Sequence, residues 1–340
     1  MNKKTSNQLL TIGSVAYDSI KTPFGAVDKA LGGSASYFSL SASYFTRPAI
    51  VAVVGDDFAA KDEKILAEKN IDLAGLQKTT GKTFAWGGEY SFDMNSRTTL
   101  FTELNVFETF KPVLSEEHKK AEYVFLGNIH PSLQLEVLSQ ISNPKLVGLD
   151  TMNFWIEKAL EDLKKVLAKI DVLIINDSEA RELSKEHNLI KSAKIISAML
   201  KQSKKTALII KRGEYGLLLF TGEMSLRVPP KQSDFEIVAS SDKALTPRND
   251  MRVFNLPGYP LEDVTDPTGA GDSFAGGFMG YLAKVDDISQ ASLKQACVAG
   301  SALASFCVEK LGTLRLQNLN DSDIQSRMKD FKHLTHFDLI

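Results

Sequence analysis

The sequence of 340 residues has two cysteines, no apolar run of membrane-spanning length and almost no net charge, and each shortage removes a class of explanation. Cys297 and Cys307 are too few for a disulfide framework. They lie in one apolar stretch with helical spacing and read as core packing in a reducing compartment. No segment approaches the ~18 consecutive apolar residues of a membrane helix. The polar start, residues 1–8, lacks the apolar centre of a secretory leader, so a cytoplasmic protein is expected. A formal charge of −2 gives no pull towards nucleic acid or an anionic membrane. Several phosphate-chemistry signatures are also missing. There is no Gly-x4-Gly-Lys-Ser/Thr, no His-Arg-Asp or Asp-Phe-Gly, and no Gly-x-Gly-x-x-Gly after a strand. Those absences exclude P-loop, protein-kinase and dinucleotide-binding plans. The five histidines have no metal-ligand spacing; His333 and His336 lie in a polar tail without an acidic or thiol partner.

What is present is concentrated in Asp266-Pro-Thr-Gly-Ala-Gly-Asp-Ser-Phe-Ala-Gly-Gly-Phe278. Pro267 and Gly269 punctuate a turn, and Phe274, Phe278, Tyr281 and Leu282 continue at helical spacing. Backbone N–H groups at a helix start form a site for an anion, and glycines let a ligand approach the main chain closely. A plain helix start capped by Asp266 or Thr268 is the simpler reading, but a cap needs one polar residue and no glycine cluster. Asp272 falls in the first turn beside the anion, where an acid makes sense if a hydroxyl must give up a proton as it attacks ATP. A helix N-terminus lowers the pKa of such a carboxylate.

Along the chain, apolar runs at residues 9–13, 49–55, 123–127, 146–150, 172–176 and 207–211 read as core strands. Amphipathic stretches at 34–45, 62–70, 133–139, 156–168, 178–187 and 192–201 read as helices between them. This alternation predicts an α/β fold of three layers, α/β/α, around a mostly parallel sheet. Two polar, aromatic, β-prone segments, 17–30 and 83–107, break it and are expected to form a small separate sheet over the cleft, a lid. Residues 227–255 read as a surface excursion or weak hairpin, and the last helix, about 321–331, as peripheral. Open parallel sheets bind ligands at the C-terminal ends of their strands, where Asp18, Asp150 and Asn176-Asp-Ser-Glu179 gather. Asn176 and Glu179, one helical turn apart, share a face suited to ordering metal-bound water. Each of these could also be an ordinary turn or cap. Asn128, after a strand, and Arg97, in the lid, are candidate acceptor or phosphate contacts by position. Gly32-Gly33, before a helix of small and aromatic residues, is either a flexible join or a backbone that hugs a ligand.

The motif at 266–278 closely resembles the signature of the PfkB (ribokinase-like) carbohydrate kinases. The resemblance extends over about residues 9–315 and implies a single ribokinase-like domain, 1–340, with a discontinuous β lid at about 15–30 and 82–109. It implies that Gly269, Ala270 and Gly271 form an anion hole for the transferred phosphoryl group, joined by Thr268 on the ATP side, and that Asp272 is the catalytic base. It matches Asp18, Gly32 and Gly33 to substrate binding, Asn176 to the ATP side, and Glu179 to Mg²⁺ through water. Gly213 corresponds to a nucleotide-contacting turn, while Asp150 and Asn153 match a further family stretch in compressed form. The family's Asn four residues after the second Gly is Tyr37 here, which leaves the acceptor open. Pairing of two copies through the lid and a monovalent-cation requirement also belong to what the resemblance implies.

The expected function is transfer of the γ-phosphoryl of Mg-ATP to a hydroxyl of a small sugar, with a nucleoside as the alternative acceptor. ATP would lie near helices at 268–283 and 289–308, and the acceptor under the lid. Tyr37, Phe38, Phe84 and Trp86 could stack on a purine or form the lid's own core. A non-catalytic sugar or nucleotide sensor of the same fold would show a damaged Asp272 or anion hole, and both are intact.

Overall fold

The computed structural model of the protein describes residues 9–201, 206–222 and 251–336. In chain order the first half runs β1 (Leu9–Ile12), β2 (Ala16–Thr22), β3 (Gly25–Gly32), α1 (Ser34–Ala42), β4 (Pro48–Val54), α2 (Ala60–Glu68), β5 (Asp72–Lys78), β6 (Phe84–Tyr90), β7 (Arg97–Glu103), β8 (Tyr123–Leu126) and α3 (Pro131–Gln140). Then follow β9 (Leu146–Asp150), α4 (Asn153–Lys158), α5 (Leu160–Leu167), β10 (Val172–Asn176), α6 (Asp177–Ser184), α7 (Leu189–Met199), β11 (Ala207–Lys211), β12 (Leu217–Thr221) and β13 (Arg252–Leu256). The chain closes with α8 (Ala270–Val285), α9 (Gln290–Cys307), α10 (Leu314–Gln317) and α11 (Asp321–Thr335).

Nine strands form one sheet in the order β13-β12-β11-β10-β9-β8-β1-β4-β5, parallel from β11 to β5 and antiparallel at β12 and β13. The parallel strands are apolar throughout because both faces are covered. Leu10, Ile12, Val124, Leu173 and Ile210 bury one face against α3, α5, α6 and α7, whereas Leu9, Phe125, Ile174 and Ile209 bury the other against α8 and α9. Beside that second layer, Ile50, Ala52 and Val54 of β4 pack on α1 and α2. A second sheet of four strands, β3-β2-β6-β7, joins two hairpins through the parallel β2–β6 pair. Its edge strand β7 is exposed along its whole length. Among the described residues no helix is long and apolar enough to cross a membrane.

The expected core strands and helices are present, with these departures. The stretch 156–168 is two helices broken at Ala159, whose φ is −138°. Ile156, Leu163, Val166 and Leu167 are buried on both sides of the break, so apolar spacing does not register it. Strand β5 lies at the sheet edge with every residue partly or fully exposed, which removes the apolar signal of a core strand. Arg252 to Asn255, the end of the stretch expected to be a surface excursion or weak hairpin, lie in β13, which pairs antiparallel with β12; residues 227–250 fall outside the described residues. Helix α11 is less peripheral than its polar sequence suggests, because Ile324 and Phe331 anchor it to the core.

Helix α8 packs close to its neighbours because it carries glycine where they approach. A Cβ on Gly276 would stand 2.1 Å from the Phe38 carbonyl oxygen of α1, and one on Gly277 2.9 Å from the Gly300 Cα of α9. Backbone cannot swing aside as a side-chain tip can. Gly276→Ala is expected to lower stability by about 1–3 kcal/mol, read as an earlier urea-unfolding midpoint; an unchanged midpoint would contradict this packing.

Candidate active site

The acceptor side is built where β1 ends and α1 begins. Ser14 and Ser34 clamp each other: the Ser14 amide donates to Ser34 Oγ at 3.1 Å, and the Ser34 amide to Ser14 Oγ at 3.0 Å. Between β3 and α1 stands Gly33, with φ +88°, where a Cβ would meet the Ser14 carbonyl oxygen at 2.5 Å. A Cβ on Gly32 would lie 2.0 Å from Asp18 Oδ2. The Gly-Gly pair therefore makes room for a buried carboxylate, and the Gly33 amide donates to it. Asp18 is in register with Trp86 across the β2–β6 pair, so the two side chains share one face of the small sheet. The Trp86 ring lies over Gly88, and the Arg97 guanidinium sits over that ring, 5.1 Å from its centroid.

The phosphate side is the start of α8. Asp266 is buried; its Oδ1 accepts the Thr268 amide at 2.8 Å and its Oδ2 the Gly312 amide at 2.7 Å. Neither Asp266 nor Thr268 caps the helix. The N-cap is Gly269, at φ +73° and ψ +2°, without a side-chain hydrogen bond. First-turn amides have no intrahelical partner; that of Ala270 donates back to the Pro267 carbonyl at 3.2 Å, so the Gly271 amide is the one left for a ligand among the described residues. The Tyr37 ring fills the space beneath Gly269, where a Cβ would come within 2.3 Å of it. Above Gly271 is Lys211, the last residue of β11: a Cβ on Gly271 would lie 2.7 Å from its Nζ. Asp272, half-buried, occupies the first turn. Thr268 donates from Oγ1 to the Tyr90 hydroxyl at 3.1 Å, which ties the small sheet to this turn.

The third group comes from β9, β10 and α6. Asn176 and Glu179 form a capping box: the Glu179 amide donates to Asn176 Oδ1 and the Asn176 amide to Glu179 Oε2, both at 2.8 Å. Asn176 thus orients Glu179. Asp150 is buried at the end of β9, its Oδ1 accepting the Thr151 amide at 2.8 Å. Among the described residues no three His, Cys, Asp or Glu side chains gather as a metal ligand set. Two hard carboxylates in mutual repulsion nonetheless fit Mg²⁺, which keeps waters and takes phosphate oxygens for much of its shell. Asn128 is engaged elsewhere, accepting the Trp155 indole N–H at 2.8 Å, and the Asn153 amide bonds to Glu182. Gly213, with φ +56°, begins the turn after β11, near Asn95 in the connection between β6 and β7.

Electrostatics bind these groups into one site. Burial pushes Asp272 up to about 7, assisted by the Asp150 and Asp18 carboxylates and opposed by Lys211. The lowering expected from the helix N-terminus is outweighed by desolvation and like charge. Glu179 also rises to about 7 through burial and Asp150, with Lys211 and Arg97 opposing. Asp18 reaches about 7 by burial and Asp266, against the Gly33 amide and Arg97. Asp18, Arg97, Asp150, Glu179 and Asp272 thus share one field. Sequence reasoning passed over Lys211 and Tyr90. A lysine ending an otherwise apolar strand, at the ligand-binding edge, was the available signal for the first; for Tyr90, period-2 spacing alone does not reveal a partner at Thr268.

A central parallel sheet between helix layers, a second small sheet and a glycine-lined helix start make this a ribokinase-like fold. The nucleoside kinase of Methanocaldococcus jannaschii, a member of the ribokinase family, superposes with a TM-score of 0.69 at 20% identity, covering 95% of this chain and 98% of its own. A fructokinase double mutant from Vibrio cholerae, with fructose, ADP and potassium bound, gives a TM-score of 0.71 at 15% identity, covering 96% and 100%. In sequence the chain is similar to the cytidine kinase of Thermococcus kodakarensis, 26% identical over 281 residues, which are 80% of this chain and 88% of that enzyme. The model of the pfkB family carbohydrate kinases matches residues 8–235 and 244–318, and the chain belongs to that family.

Because burial makes Asp18, Glu179 and Asp272 titrate higher in the folded protein than the ordinary values of 3.8, 4.5 and 3.8, the fold holds protons that the unfolded chain has released. Their contribution to stability is fully present below about pH 4 and is lost as pH rises through about 7. Asp18→Asn should therefore flatten the fall in urea midpoint between pH 4.5 and 8. Parallel curves for the variant and the wild type would refute the burden assigned to Asp18.

Proposed function

We propose that the protein transfers the γ-phosphoryl group of Mg-ATP to a hydroxyl of a small polyol, with Asp272 as the base. The observation that carries this reading is the placement of Asp272 in the first turn of α8, beside the Gly271 amide and in one field with Asp18 on the acceptor side. Gly269, Ala270 and Gly271 supply backbone to the phosphoryl group, and Thr268 holds the preceding turn. Asp18 anchors acceptor hydroxyls beside Gly32 and Gly33. A carboxylate near pH 7 suits proton collection at neutral pH, and a loose transition state needs that proton to move only late. Mg²⁺, held by Glu179 and Asp150 through water, would neutralise the ATP phosphates. Tyr90 and Arg97 bring the small sheet over the site as a lid, excluding water that would otherwise take the phosphoryl group.

Asp272→Asn is expected to bind ATP normally and to lose kcat by about 10²–10⁴-fold. Wild-type kcat/KM should rise with pH through about 7 as Asp272 deprotonates. Near-normal turnover by the variant, measured as ADP release, would sink the assignment.

Asp18 suits the polyol ring that a sugar and a nucleoside share, while one observation favours a nucleoside. Phe38 stacks on Phe125, Phe84 on Phe107, and Tyr37 lies beneath Gly269, which leaves Trp86, set between Gly88 and the Arg97 guanidinium that a base would have to displace, as the aromatic ring beside Asp18. The similarity to a cytidine kinase supports the same reading. ADP release with Mg-ATP and panels of sugars and nucleosides separates the two. If nucleosides are the substrates, Trp86→Ala should raise their KM about tenfold, the loss of one base stack; turnover confined to free sugars would exclude them.

A further inference from the structure

We infer that Lys211 is a catalytic residue, whose ammonium binds the γ-phosphoryl group beside the Gly271 amide and balances its charge during transfer. The inference rests on the phosphotransferase reading. Lys211 terminates β11 at the edge where parallel strands present ligand-binding groups, and the strand behind it, Ala207 to Ile210, is buried and apolar. Its Nζ occupies the space that any side chain at Gly271 would take, directly over the start of α8. Asp150, Glu179 and Asp272 all feel its charge, yet Lys211 forms no ion pair within 4.0 Å among the described residues. A lysine serving only to neutralise one of those acids would be bonded to it. This one stands between the acids and the helix amides, where a phosphoryl group would sit. Neighbouring Arg212 is unavailable for that place, since it is tied to the Tyr215 carbonyl and Asn255.

In the step so served, the bond between the γ-phosphorus and the β–γ bridging oxygen breaks and its electron pair leaves with ADP. The acceptor oxygen bonds to phosphorus, and its proton passes to Asp272. Lys211 exchanges no proton; it holds the equatorial oxygens, as electrostatic stabilisation of a transferring group requires.

Calorimetric binding of Mg-ADP and of Mg-AMP-PNP, a non-hydrolysable ATP analogue, to the wild type, Lys211→Met and Lys211→Arg tests this. The expected result is that Lys211→Met binds ADP within about twofold of wild type, weakens AMP-PNP tenfold or more, and lowers kcat by about 10²–10³-fold. Lys211→Arg should recover most of the AMP-PNP affinity. Equal weakening of both nucleotides by Lys211→Met, or of neither, overturns the assignment while leaving the kinase reading intact. A folded wild-type protein that binds neither nucleotide overturns both.

Discussion

The site depends on how closely the start of α8 can approach α1. Without a Cβ at Gly269, the Tyr37 ring fits directly beneath the turn; without one at Gly276, the next turns settle against the Phe38 backbone. The two contacts fix the position and direction of the helix axis, and with them the amides and carboxylate of its first turn. Asp266 completes the arrangement from behind by accepting from both Thr268 and Gly312. The glycines of this segment thus serve helix packing.

Around that fixed point the fold gathers acids from distant parts of the chain. Asp18 comes from the small sheet, Asp150 from the middle of the large one, Glu179 from the first turn of α6, and Asp272 from α8. Among the described residues none forms an ion pair with a cation of its own; Lys211 and Arg97 influence several at once. Such an arrangement is unfavourable to an empty protein and suited to one that receives a polyanion together with its metal, because the ligands supply the missing charge balance.

Much of this was legible in the sequence where one residue pattern had one physical meaning. Apolar runs such as Val172 to Ile175 can be little else than a strand covered on both faces, and Gly269-Ala-Gly-Asp272 marks a glycine-lined helix start. Legibility failed where a residue's role depends on what another segment brings to it. Lys211 is an ordinary strand end until Gly271 is placed under it. Tyr37 stands out as a departure from a family pattern, but its function as the floor beneath Gly269 requires the α1–α8 packing. The direction of the Asp272 shift was misjudged because the helix terminus is visible in sequence, whereas Asp150 and Asp18, with the burial that accompanies them, are not. The break at Ala159 and the polar strand β5 escaped because apolar spacing records burial and not backbone course.

The parallel β2–β6 pair has a consequence for how the molecule is made. Each of the two hairpins of the small sheet can close locally, but Ala16 meets Phe84 only after the chain has passed through β4, α2 and β5. That pairing closes a long loop, whose entropy must be met before its contacts form. The face carrying Asp18 and Trp86 therefore forms only once that loop has closed. A nascent chain can hold this face before α8, at the far end of the sequence, has been made.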